Sequence, residues 1–155
     1  MPMGGLYYEQ FNVGQRFEHV LRRTVTEADN LIFSALTHNP AALHLDEEYM
    51  KSSEFGTRIV NSCFTLSLMV GVSVADTTLG TTIANLGWDE VRFPRPVFIG
   101  DTLRTESIVQ EMRESKSRPD AGIVTFVHRC FNQRNEEVAV CKRMALMKKL
   151  PAGAA

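Results

Sequence analysis

The stretch that decides the fold is NSCFTLSLMVGVSVA, residues 61–75. Its apolar side chains cover nearly every face of one predicted helix, and Gly71 allows close packing. A helix that is apolar all round is buried all round, so this segment is predicted to be the central helix of a small domain. It is shorter than the roughly 20 residues that a membrane-spanning helix needs.

Four segments downstream of this helix are predicted strands, because they are rich in β-branched and aromatic residues and are separated by turn residues. They cover residues 81–93, 102–112, 121–132 and 138–148. A long buried helix followed by antiparallel strands indicates an α+β domain in which one antiparallel sheet wraps around the helix, the hotdog fold. We expect a single domain over residues 1–155, with an ordered core of about 11–149 and loose ends.

The region before the central helix predicts one more strand and two helices. Side chains alternate over residues 17–25, as in a strand. Thr26 is the expected N-cap of the next helix, with Asp29 completing a capping box. Apolar residues follow at helical spacing, so one apolar face of this helix is predicted to be buried; they are Ala28, Leu31, Ile32, Ala35 and Leu36. A short acidic helix is expected from Asp46 to about Ser53.

The composition is that of an ordinary globular protein and excludes several function classes. The 155 residues are 44% hydrophobic and 23% charged, with a net charge of −1, which gives no electrostatic case for nucleic acid or an anionic membrane surface. The N-terminus lacks the apolar region of a signal peptide, so a cytoplasmic location is expected. Cys63, Cys130 and Cys141 are odd in number and lack metal-ligand spacing. We predict reduced core cysteines and no metal site.

The loop LTHNPAALHLD, residues 36–46, crowds polar side chains together. An amide five residues before a histidine, here Asn39 and His44, can hold and activate one water, because an imidazole exchanges protons near neutral pH. A structural interpretation stands beside this one. Asn-Pro is a common turn starter, and Asp46 has the position of a helix N-cap.

Three ordered stretches resemble the MaoC-like enoyl-CoA hydratase family. They are ALTHNPAALHLD at 35–46, FGTRIVNS at 55–62 and VRFPRPVFIGDT at 91–102, and together they span most of residues 11–148. The resemblance implies a hotdog fold and reversible hydration of an α,β-unsaturated acyl-CoA thioester. Coenzyme A would then be part of the substrate, and no separate cofactor is implied.

The resemblance also implies roles for individual residues. The family's catalytic aspartate falls on Asn39, its histidine falls on His44 as general base, and Ser62 stands where a glycine N–H would bind the thioester oxygen. These changes are similar to the branch that hydrates mesaconyl-CoA and other C5 dicarboxylic acyl-CoAs. The run at residues 76–87 is similar to that branch as well.

Four further residues are expected to bind substrate. Arg58 and Arg95 are cations near the expected cleft and suit the distal carboxylate or the CoA phosphates. His38 either contacts a substrate carboxylate or supplies the basicity that Asn39 lacks, and Asp46 is the other candidate for that basicity. Asn61, at the start of the central helix, is expected to cap it or to contact substrate, and the two roles are compatible. For the arginines, simple surface solvation is the alternative.

Two other functions remain open at this point. One is a hotdog acyl-CoA thioesterase, which needs a strong base for attack on the carbonyl. The other is a non-catalytic acyl-CoA-binding subunit, in which Asn39 marks lost activity. The expected partners are an acyl-CoA and a second copy of the chain. A hotdog sheet has an exposed edge strand that pairing would cover, and the mesaconyl enzymes carry two hotdog units. A homodimer or higher homo-oligomer is therefore predicted.

Overall fold

The computed structural model describes residues 4–153. A 3₁₀ turn at Tyr8–Gln10 comes first. The helices and strands that follow are β1 (Arg16–Thr24), α1 (Glu27–Leu36), α2 (Ala42–Leu45), α3 (Glu47–Met50), α4 (Ser62–Thr77), β2 (Thr82–Arg92), β3 (Thr102–Glu114), β4 (Ala121–Phe131) and β5 (Glu137–Lys148). No helix within residues 4–153 has the length and apolar character that a bilayer crossing requires.

The five strands form one antiparallel sheet in the order β1-β3-β4-β5-β2. Helix α4 packs against β1, β3, β4 and β5. The predicted α+β class and hotdog arrangement are therefore confirmed. The predicted strand boundaries differ from the observed ones by at most about two residues.

The helix starts follow the predicted capping. Thr26 Oγ1 accepts from the Asp29 N–H at 3.2 Å, and the Asp29 carboxylate accepts from the Thr26 N–H at 2.8 Å, which is the capping box. Asp46 caps α3 by accepting from the Tyr49 N–H at 2.9 Å, as its structural interpretation predicted. Asn61 caps α4 by accepting from the Cys63 N–H at 3.0 Å.

The prediction for the buried face of α1 is wrong. Its buried residues are Asn30 and Ser34, whereas Leu31, Ile32 and Leu36 are 36%, 59% and 75% exposed. The reason is that Asn30 makes buried hydrogen bonds to the neighbouring loops, and these turn the polar stripe of the helix inward. The apolar stripe consequently faces outward within this chain.

Helix α4 is also not buried all round. Thr65, Met69 and Val72 face the core, while Ser67 and Gly71 on another side of the helix are exposed. The sheet covers one side of the helix, and α1 contacts it through the rings of Phe33 and Phe64, which leaves Ser67 and Gly71 exposed.

One of the three cysteines departs from the prediction. Cys130 and Cys141 are buried free thiols, but Cys63 is exposed at the start of α4. Burial raises the pKa of Cys130 to about 12 and that of Cys141 to about 11, so both remain protonated at neutral pH.

The packed region begins earlier than predicted. The Gly5 N–H donates to the Leu79 carbonyl at 2.8 Å and the Leu6 N–H donates to the Thr77 carbonyl at 3.0 Å. Tyr8 packs against Gly122, where any larger side chain would clash with the tyrosine ring. Gly5, Leu6 and Tyr8 thus belong to the fold. Of the predicted loose ends, residues 1–3 and 154–155 lie outside the described residues.

Candidate active site

His44 lies on the short helix α2 and is 8% exposed. Its Nδ1 lies 2.9 Å from the Ile59 carbonyl oxygen. A carbonyl can only accept, so Nδ1 carries the proton in this bond. In the neutral ring, Nε2 then holds a free lone pair, which is the state that a general base requires.

A buried asparagine holds His44 in place. Asn30 Nδ2 donates to the carbonyls of His44, at 3.0 Å, and Ile59, at 3.3 Å, and Asn30 Oδ1 accepts from the Asn61 N–H at 2.9 Å. Asn30 is fully buried. One side chain therefore fixes both the histidine loop and the start of α4.

The sequence reasoning missed Asn30 and its neighbour Ser34. Asn61 Nδ2 donates to Ser34 Oγ at 3.4 Å, so this buried serine belongs to the same network. Both residues lie on α1 four positions apart, and hence on one face. Two polar residues four positions apart on one helix face were the sequence feature that could have indicated this buried network.

Asn39 shapes the loop before α2. Its Oδ1 accepts from the Ala41 N–H at 3.0 Å, and the Ala41 carbonyl accepts from the His44 N–H at 3.0 Å. Ala41 therefore connects Asn39 to His44 through two hydrogen bonds. His38, just before, is exposed and has a left-handed φ of +53°.

The start of α4 provides backbone donors and the positive end of the helix dipole. Asn61 takes up the Cys63 N–H, whereas the Ser62 N–H makes no hydrogen bond within residues 4–153. Such a free N–H is suited to an oxyanion. The Asn61 side chain accepts a hydrogen bond from the Cys63 N–H through Oδ1 and donates one to Ser34 Oγ through Nδ2. Its capping role is therefore observed, and its predicted contact with substrate stays a prediction.

A cavity of about 250 Å³ opens beside Ser62. Its walls include Phe55, Ser62, Thr65, Phe93, Arg95 and Val97. Ile59, whose carbonyl binds His44, also lines it, and this places the histidine loop next to the cavity. The arrangement offers one base, one backbone donor and a small apolar space with a cation.

The two predicted arginines differ in position. Arg95 lines the cavity, is 54% exposed, and has a carboxylate neighbour only at 4.0 Å, on Glu136. Arg58 instead pairs with Glu47 at 2.7 Å and Glu27 at 2.8 Å, joining α1 to α3. The hydrogen bonds that Arg58 donates to these carboxylates raise its pKa. Since its guanidinium is occupied and lies off the cavity wall, we assign Arg58 a structural role.

The family comparison agrees with this geometry. The family model of the MaoC like domain matches residues 9–129, which is more than half of the chain. The chain belongs to the MaoC-like domain family.

Similarity to individual proteins extends over almost the whole MaoC-like domain. The chain is 32% identical to mesaconyl-CoA hydratase from Cereibacter sphaeroides over 94% of its length. It is also 32% identical to beta-methylmalyl-CoA dehydratase from Chloroflexus aurantiacus, again over 94% of its length. The chain spans 42% and 41% of the lengths of these relatives. A solved structure described as a monoamine oxidase regulatory protein from Archaeoglobus fulgius is 35% identical, with a TM-score of 0.86 over 97% of this chain and 99% of that one.

The MaoC-like domain thus brings most of the predicted catalytic residues into one region. Asn39 and His44 share a loop held by Asn30, and Ser62 faces the adjoining cavity. Asn39, His44 and the neighbouring His38 do not themselves line the cavity; Ile59, whose carbonyl binds His44, connects it to the cavity wall. Within residues 4–153 no group of three or more His, Cys, Asp or Glu side chains is arranged to hold a metal ion.

Proposed function

We propose that this MaoC-like domain reversibly hydrates an α,β-unsaturated acyl-CoA. The observation that carries the proposal is His44, whose Nδ1–H is fixed by the Ile59 carbonyl while Nε2 remains an available base. The chemistry needs a base for the attacking water, a donor for the thioester oxygen and an acid for the α-carbon.

His44 supplies the base in this scheme. It removes a proton from water as the oxygen adds to the β-carbon, and the same imidazolium then returns a proton to the α-carbon. Asn39 cannot take up a proton, so it orients the water through its amide. The Ser62 N–H, at the positive end of α4, donates to the thioester oxygen as enolate charge develops. The reaction needs no cofactor beyond the thioester of the substrate itself.

For the substrate we propose a C5 dicarboxylic acyl-CoA such as mesaconyl-CoA or itaconyl-CoA. The small cavity suits a short acyl group, and Arg95 in its wall suits a distal carboxylate. Similarity to a mesaconyl-CoA hydratase supports this choice.

The test follows the enone absorbance of mesaconyl-CoA, itaconyl-CoA and crotonyl-CoA, with release of free CoA measured in parallel. We expect loss of the enone without free CoA, fastest on a C5 dicarboxylic substrate. Free CoA would identify a thioesterase instead. Binding without any turnover would identify an acyl-CoA-binding module and overturn the proposal.

The His44→Ala variant tests the base directly. Removing a general base costs about 10²–10⁴-fold in rate, so we expect at least a hundredfold loss of kcat with acyl-CoA binding retained. The thermal midpoint of the variant serves as the folding control. The variant His38→Ala decides whether the exposed neighbour shares this role. A loss of similar size there would assign basicity to His38 as well.

A further inference from the structure

Thr65 carries a buried hydroxyl that has no hydrogen-bond partner. The residue is 1% exposed, and Oγ1 finds neither donor nor acceptor within residues 4–153. A buried threonine hydroxyl in a helix usually donates to the carbonyl four residues earlier, as Thr77 on the same helix does to the Ser73 carbonyl at 2.5 Å. The equivalent carbonyl for Thr65, on Asn61, accepts only the Thr65 N–H, at 3.2 Å.

The position of Thr65 distinguishes it from the other buried groups without partners. Within the described residues these are Thr78 Oγ1, Thr81 Oγ1, His128 Nε2 and Arg143 Nη1. None of these four residues lines the cavity beside Ser62, whereas Thr65 does. An unsatisfied hydroxyl in a core costs stability, and at a cavity wall the missing partner can come from a bound molecule.

The cavity chemistry specifies that molecule. Ser62 and Thr65 are i and i+3 on α4, and such neighbours have Cβ atoms about 5–6 Å apart. A four-carbon chain with a carboxyl carbon at each end can bridge that span. An acyl group whose thioester oxygen binds the Ser62 N–H would therefore extend its second carboxyl group along the helix towards Thr65. Arg95, the cation of the cavity wall, is available to balance its charge.

We propose that Thr65 is a specificity-determining residue whose hydroxyl donates a hydrogen bond to the distal carboxylate of a short dicarboxylic acyl-CoA. This inference rests on the proposed hydratase function and adds the residue that selects its substrate. A site built to bond a polar group discriminates strongly against the analogue that lacks it, because the protein group is then left unpaired.

The test compares Thr65→Val, which keeps the shape and removes the hydroxyl, with Thr65→Ser, which keeps the hydroxyl. Thr81→Val is the matched control, since Thr81 is also buried and unpartnered but lies away from the cavity. The measured quantity is the ratio of kcat/KM for mesaconyl-CoA to that for crotonyl-CoA. We expect this ratio to fall about 10–100-fold in Thr65→Val, the value of one hydrogen bond to a charged group, and to stay within about threefold in the other two. An unchanged ratio in Thr65→Val overturns the inference.

Binding of saturated acyl-CoAs separates this inference from the proposed reaction. Calorimetry with methylsuccinyl-CoA and butyryl-CoA measures the preference for the carboxylate without any turnover. We expect the wild type to prefer methylsuccinyl-CoA and Thr65→Val to lose that preference, even if the protein hydrates nothing. Equal affinity of the wild type for both ligands overturns the role of Thr65, whatever the outcome of the hydration assay.

Thermal unfolding provides an independent check. Because the unpartnered hydroxyl destabilises the free protein, Thr65→Val is expected to raise the midpoint by roughly 2–4 °C while it loses selectivity. A lower midpoint would show that the hydroxyl already has a stabilising partner in the free protein, and that would contradict the inference.

Discussion

At the scale of single residues, Asn39 has an observed structural role beside its proposed chemical one. Its side-chain oxygen holds the Ala41 N–H, and this bond shapes the loop that carries His44. We expect Asn39→Ala to lower kcat about tenfold or more and to cost about 1 kcal/mol of unfolding free energy, the value of one hydrogen bond. Steady-state kinetics and chemical denaturation measure the two effects.

The matched variant is Asn39→Asp, since a carboxylate can accept the same bond from Ala41. It restores the acidic group that the family motif has at this position. We expect normal folding and turnover at least equal to that of the wild type. Full activity in Asn39→Ala would instead mean that this residue only forms a turn.

Residue-level prediction from the sequence was confirmed for the helix caps Asp46 and Asn61, because a cap and its partner lie within three residues of each other. The catalytic roles of His44 and Asn39 stay predictions. Asn30 was missed because its three hydrogen-bond partners lie 14 to 31 residues away, and local spacing does not show them. Arg58 was misplaced for the same reason, since Glu27 is 31 residues distant.

At the scale of secondary-structure elements, Asn30 joins α1, the His44 loop and the start of α4. The variant Asn30→Ala would leave two buried carbonyls and the Asn61 N–H without this partner. We expect a loss of about 2–4 kcal/mol in unfolding free energy, measured by urea denaturation, because each abandoned buried group carries a desolvation cost. Glu27→Ala, which removes one exposed ion pair at the start of the same helix, should cost less than about 1 kcal/mol. Equal losses in both variants would contradict a central role for Asn30.

A chain of hydrogen-bonded polar side chains, of which His19, Ser107 and His128 are buried, crosses the sheet. His19, on β1, bonds Asp76 of α4 at 2.8 Å and Ser107 of β3 at 2.7 Å, and Ser107 bonds His128 of β4 at 2.7 Å. Burial lowers the pKa of His128 to about 3, and the positive charge of Arg143 and the neighbouring His19 add to this effect. His128 is therefore neutral in the folded protein at any pH above about 3.

This depressed pKa makes stability depend on pH. Below about pH 6.5 the histidine is protonated only in the unfolded chain. The free energy of unfolding therefore falls as the pH drops towards 3. Between pH 7 and pH 5 the loss amounts to about 2 kcal/mol. In His128→Gln the decrease in unfolding free energy over this range should be smaller by that amount, as measured by urea denaturation at both pH values. His38→Gln is the control, because His38 is exposed. Identical pH dependence in wild type and His128→Gln would show that His128 is charged in the native state.

Prediction from sequence was accurate for the strands and incomplete for the helix faces. Each strand is bounded by turn residues such as Gly100 and the segment 132–135, so its limits are local information. Which side of α1 is buried depends on what packs against it. The apolar stripe of α1 predicted the wrong buried face, because Asn30 and Ser34 make their hydrogen bonds on the opposite face of the helix.

At the scale of the whole molecule, the described chain leaves several large apolar side chains exposed. Edge strand β2 and the residues after it expose large side chains, namely Leu86, Trp88, Val91 and Phe93. The outward stripe of α1 and the open side of α4 add to this surface. Apolar surface of this kind next to an unpaired strand edge is typical of an interface. We propose that a second copy of the chain covers it, with β2 as the edge that pairs.

The other sheet edge, β1, supplies the matched control for this proposal. Leu86 is 48% exposed on β2, and Val20 is 90% exposed on β1, where charged neighbours such as Glu18 and Arg22 surround it. A lysine on a pairing edge must lose its hydration, whereas a lysine on a solvated edge does not. We therefore expect the wild type to have at least twice the mass of one chain by light scattering. Leu86→Lys should shift it towards the monomer, and Val20→Lys should leave it unchanged. A change caused by Val20→Lys alone would assign pairing to β1, and a monomeric wild type at micromolar concentration would show that the exposed surface of β2 has another use.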